Sequence, residues 1–211
     1  MTSSLYAGAS DDAGLGVNYA RINVYIANRP NYQDLSLLNT MHSLNTGDIE
    51  AINRQCGNGW RKVFNVYAKL VFAWRSVDPA LHACLPGAHS ASWQAYRDTV
   101  LLQQDSQTAL LFSPPSPQQD LPYNGNGWAD GASTSKIHNA YHIIMGRTYA
   151  KSLVETTGLN LTWHGEEFAI DQSARTAVCP YFDYRQLSNI KIIRLVELLK
   201  LLNQYPFDFY F

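Results

Sequence analysis

Four short apolar runs stand far apart along this chain: INVYIA at 22–27, TALLF at 108–112, AYHIIMG at 140–146 and TAVCP at 176–180. They are rich in β-branched or aromatic residues and too short for good helices, so they read as strands. Segments of helical spacing lie between and after them. In WRKVFNVYAKLVFAWR the series Trp60, Val63, Phe64, Tyr67, Val71 and Trp74 recurs at intervals of three and four, which makes one buried helix face. Further helices are expected over 47–55, ending before Gly57 and Gly59, over 93–104 and over 148–155 after a turn at Gly146. A last one is expected over 187–204, where Lys191, Arg194, Glu197, Lys200 and Gln204 form a narrow polar stripe and the rest of the circumference requires cover. LTWHGEEFAID alternates around His164 and Gly165 like a β-hairpin or an edge excursion, and 76–91, with Pro79, Pro86 and Gly87, reads as a loop. The order strand, helices, strand, helix, strand predicts an α/β three-layer sandwich. Its mainly parallel sheet has about four strands, flanked by helices on both faces.

With 211 residues and 46% hydrophobic content, the chain can bury one sizeable core. Residues 21–211 are expected to form a single domain, preceded by a flexible lead-in over 1–20, where Ser, Gly, Ala and Asp predominate. Sixteen basic residues nearly balance seventeen acidic ones, so no overall field draws the protein to a polyanion or a membrane surface. Three widely spaced cysteines, Cys56, Cys84 and Cys179, suit a reducing compartment better than a disulfide framework. The first residues lack the basic start and apolar run of an export signal, and no stretch is long and apolar enough for a membrane span. A cytoplasmic protein without membrane contact is the expectation.

In a parallel α/β sheet, ligands bind beyond the carboxyl ends of the strands, where loops from several strands converge. The residues expected there are Asn28, Arg29, Asn31 and Tyr32 after the first strand, and Ser113 and Ser116 after the second. Arg147 and Thr148 follow the third, and Tyr181, Asp183 and Arg185 the last. The segment CPYFDYRQLSN carries more hydrogen-bonding groups than a turn requires. Asp183 has a second reading as a helix cap, with Gln186 three residues later completing a capping box. Tyr32, Phe112 and Tyr181 can form an aromatic platform for a base or close the ends of the core. Arg147 and Arg185 can bind phosphate at helix starts or pair with Glu155 and Asp183.

The strand endings VYIANRPNY, LLFSPPSP, HIIMGRTYAKSL and VCPYFDYRQLSN resemble, in order and spacing, the motifs of the uracil-DNA glycosylase-like superfamily. The resemblance spans most of residues 22–203. It implies a nucleobase-recognising site at the four strand ends, with nucleic acid or a nucleobase-like ligand as partner. The usual catalytic residues are not retained. Asn28 and Arg29 precede Pro30 where the family has its water-activating residue, and Ser113 stands where an Asn reads the base. Cys179-Pro180-Tyr181 replaces a His-Pro-Ser-type loop. Asn28 can still position a water, while a general base is not evident. Arg185 or Tyr181 can supply the donor that a departing base anion needs.

Other patterns point elsewhere. His82, Cys84 and His89 have ligand-like spacing without a fourth partner nearby. His138 and His142 lack the Glu of a metalloprotease motif, and Cys179 with His142 or His164 is a candidate nucleophile and base. NGNGWADG has neither the context nor the spacing of a dinucleotide fingerprint, and no phosphate-loop motif occurs, so no cofactor or metal is expected. The alternative function is a non-enzymatic interaction domain. It would use the proline-rich loop of 113–135, which contains a Pro-x-x-Pro pattern at Pro114 to Pro117, or the aromatic ending YPFDFYF, which can also form a homodimer contact.

Overall fold

The computed structural model describes residues 12–18, 20–115 and 140–203. One eight-stranded sheet contains β1 (Gly14–Gly16), β2 (Ile22–Tyr25), β3 (Met41–His42), β4 (Thr108–Leu111), β5 (Tyr141–Met145), β6 (Thr162–His164), β7 (Phe168–Asp171) and β8 (Thr176–Cys179). Their spatial order is β3-β1-β4-β2-β5-β8-β7-β6. The four strands expected from the sequence are its centre, adjacent and mutually parallel. The sheet is nonetheless larger than about four strands, and its margins are partly antiparallel. β1 runs antiparallel to β4 and parallel to β3, while β6 and β7 form the expected hairpin, antiparallel to each other, and β7 is also antiparallel to β8. Strands of two or three residues such as β1 and β3 offer no periodicity to detect.

The flexible lead-in over 1–20 is corrected for its last part, since β1 is buried and paired. Its glycines serve close approach rather than freedom. A Cβ on Gly14 would lie 2.5 Å from the Leu110 carbonyl oxygen and one on Gly16 2.2 Å from that of Thr108. Gly16 also has φ +104°, a conformation that glycine tolerates best.

Six α-helices complete the described chain: α1 (Asp48–Cys56), α2 (Asn58–Val77), α3 (Pro79–Cys84), α4 (Trp93–Thr99), α5 (Arg147–Thr157) and α6 (Asn189–Leu201). α3 occupies part of the expected loop over 76–91. Pro79 opens it, and the Asp78 carboxylate accepts from the Leu81 N–H at 3.0 Å, a start signal that offsets the poor helical composition around it. α4 stops five residues short of expectation: the backbone leaves the helix at Val100, with φ −134°, and Leu102 adopts φ +60°.

Strand alternation divides the core into two. On one face Ile22, Val24, Leu110, Ile143, Ala177 and Cys179 join α1, α2, α4 and α6. On the other, Tyr25, Ala109, Leu111, Ile144 and Val178 meet Ala150 and Leu153 of α5. α2 is the main buttress. Phe64, Tyr67 and Trp74 have no exposed surface, and the Tyr67 hydroxyl reaches the carbonyl oxygens of Ile22 and Ala109 at 3.1 and 3.0 Å. No described helix is long and apolar enough to cross a membrane. Ser116, the rest of the proline-rich loop, His138 and the ending Tyr205–Phe211 lie outside the described residues.

Candidate functional site

Register brings the carboxyl ends of the central strands level. Leu111 is paired across from Tyr25, Tyr25 from Ile144, and Ile144 from Val178. At roughly 4.8 Å between neighbouring strands, the four ends span about 14 Å. In chain order these strands lie second, first, third, fourth. The chain leaving β2 turns to one face, towards α1, and the chain leaving β5 turns to the other, into α5. Such a reversal parts the loops and opens a crevice between the two strands. Gly146 stands there with φ +100°, and a Cβ added to it would meet nothing within 4 Å. Its N–H donates to the Cys179 carbonyl at 2.8 Å, which ties the β5 and β8 endings together.

Asn28 and Arg29 are exposed just beyond β2. The Arg29 guanidinium donates to the Leu38 carbonyl at 2.7 Å and lies 5.4 Å from the Phe112 ring centre, so it bridges the endings of β2 and β4. Tyr32 and Tyr181 are half-buried and packed against the main core, as the core-closing reading anticipates. Ser113 is turned to β1: its hydroxyl oxygen accepts from the Ala13 N–H at 3.2 Å and donates to Asp12 at 3.4 Å. Arg147 opens α5, exposed, with its guanidinium 5.4 Å from the Trp163 ring centre. Lys151 reaches the same ring at 5.8 Å. Arg185 is exposed, and its side chain makes no hydrogen bond or ion pair among the described residues.

Asp183 is not a helix cap. Ser188 precedes α6, and the Asp183 carboxylate instead accepts from Lys62 Nζ at 2.6 Å and from the Arg185 N–H at 3.0 Å. These bonds, Lys62 first, hold its pKa below the usual carboxylate range. Lys62 also lies 5.1 Å from the Tyr184 ring centre. It is the residue that sequence reasoning misses. It sits beside the apolar stripe of α2, and nothing local marks a lysine that will find an aspartate 121 positions later.

The nucleophile reading of Cys179 does not fit the geometry. Its thiol is fully buried in the main core, and burial pushes its pKa far upward. His142 lies an odd number of positions along β5 from Met145, which is level with Cys179, so it projects to the opposite face. There its Nδ1 is 2.7 Å from the Tyr25 hydroxyl oxygen. Among the described residues no three His, Cys, Asp or Glu side chains converge as a metal site would require.

Residues 13–200 match the model of a family of unknown function, DUF6942. The chain belongs to DUF6942. No curated protein and no solved structure matches it. The match opens one residue before β1 and closes one residue before the end of α6, so the DUF6942 unit takes in all eight strands and the whole rim. Within that unit exposed polar groups follow three of the four central strands: Asn28 and Arg29 after β2, Arg147 and Thr148 after β5, and Arg185 after β8.

Proposed function

We propose that the carboxyl rim of the central sheet binds nucleic acid and reads a nucleobase in the crevice between β2 and β5. The observation that carries this reading is the level, parallel set β4-β2-β5-β8 with its reversal of direction at β2 and β5. Arg29, Arg147 and Arg185 suit a phosphate backbone, since each is exposed and none is held in an ion pair among the described residues. Asn28 offers the paired donor and acceptor that read a base edge. The motif order shared with the uracil-DNA glycosylase-like superfamily supports the same ligand class. Of the residues expected at the rim the carboxylate is Asp183, and it is committed to Lys62, so the proposal is one of recognition.

The test is fluorescence anisotropy with labelled single-stranded and duplex oligonucleotides, with and without uracil, over a range of salt. Arg147→Ala with Arg185→Ala is expected to weaken binding about tenfold or more and to reduce the salt slope by about 2, one for each phosphate that an arginine no longer neutralises. Binding that is absent at low salt, or unchanged in the double variant, overturns the proposal. Release of free uracil by the pure protein would add catalysis to it.

A further inference from the structure

The sequence requires cover for nearly the whole circumference of α6, yet Ile190 is 80% exposed, Ile193 59% and Leu201 37%. Isolated exposed apolar residues are ordinary, but these belong to one stripe. At 3.6 residues per turn, Leu201 lies about 20° from Ile190 around the helix, and Glu197 about 20° to its other side. Arg194 and Glu197 occupy the middle of that stripe, joined at 3.0 Å and each at least half exposed. Along Ile190, Arg194, Glu197 and Leu201 the stripe therefore reads apolar, positive, negative, apolar, with Ile193 on its flank. It is complementary to itself when reversed. Laid antiparallel on a copy, Ile190 faces Leu201 of the other chain and Arg194 faces its Glu197. That is the requirement for a two-fold contact, in which the same patch serves both sides.

We infer that α6 is the contact through which two copies of this chain associate, antiparallel, about a dyad between Leu195 and Val196. Lys191 does not oppose the pairing, because it is neutralised within its own chain by Glu167 at 2.6 Å. One helix face is small beside the roughly 800 Å² per partner of a standard interface, so the association is weak and depends on concentration. α6 leads away from the β8 ending, so antiparallel pairing sends the two carboxyl rims to opposite ends of the dimer and leaves both open.

Sedimentation equilibrium of the full chain tests this. The wild type is expected to show a reversible monomer–dimer equilibrium. Ile190→Asp, on a side chain too exposed to matter for folding, is expected to raise the dissociation constant at least about tenfold. Arg194→Glu and Glu197→Arg should each leave the chain monomeric. An equimolar mixture of those two variants should dimerise, since every facing pair then carries opposite charges. A helix pair acting only within one chain cannot produce that rescue. A wild type that stays monomeric at every concentration, a dimer indifferent to Ile190→Asp, or a mixture that fails to associate would each overturn the inference.

Discussion

Asp183 shows how one side chain changes meaning between sequence and fold. As a string, Asp183 and Gln186 before an apolar helix look like a capping box; in space, Lys62 from α2 takes the carboxylate at 2.6 Å, and the helix begins only at Asn189. Both partners are largely shielded, with side-chain exposures of 15% and 18%, so the pair lies between a solvated ion pair and a buried one. Asp183→Asn is expected to cost about 1.5–3 kcal/mol at neutral pH, the range for hydrogen bonds to charged groups. Because the folded pKa is lowered, that stability is fully present above the unfolded aspartate value and is lost as pH falls through the folded one. Urea titrations from neutral to strongly acid pH should therefore show wild type and variant converging at the acid end. A constant difference would mean that the amide disturbs packing and not charge.

Among the helices, the start signals divide those that the sequence announces from those that the fold imposes. Ser92 accepts from the Ala95 N–H at 3.2 Å and caps α4, whereas Ser188 occupies the same position before α6 without a side-chain cap bond. Ser92→Ala is expected to cost about 1 kcal/mol and Ser188→Ala no more than a few tenths, measured as shifts in urea midpoint at unchanged slope. Equal losses would show that α6 depends on a cap after all. The buried stripe of α2 is legible because Phe64, Tyr67, Val71 and Trp74 all lie on one helical face, and all four are buried. α3 is not, because six residues with two alanines, a proline and a histidine carry too little periodicity to outweigh their loop-like setting. The exposed isoleucines of α6 fail the opposite way. Apolar character predicts burial against something, and nothing in a single chain's sequence says whether that something belongs to the same molecule.

At the scale of the whole molecule, β1 closes against β4 through close backbone contact at Gly14 and Gly16, with Leu15 buried in the main core. Gly16→Ala would place a methyl 2.2 Å from the Thr108 carbonyl oxygen and force a left-handed conformation on alanine, so a loss of about 2–3 kcal/mol or more is expected in urea unfolding. A neutral substitution would show that β1 can detach without loss. The sequence by itself determined the four central strands and the long helices α2 and α6, because short β-branched runs and the helical repeat are local patterns that each segment carries alone. It also determined that the residues after those strands share one edge, since parallel strands joined by crossovers must end on the same side. Only the tertiary structure decided β1 and β3, the partner of Asp183, the face to which His142 turns and the bare stripe of α6. Those depend on contacts between residues tens of positions apart, and their geometry is fixed by close packing and register, which no local pattern encodes.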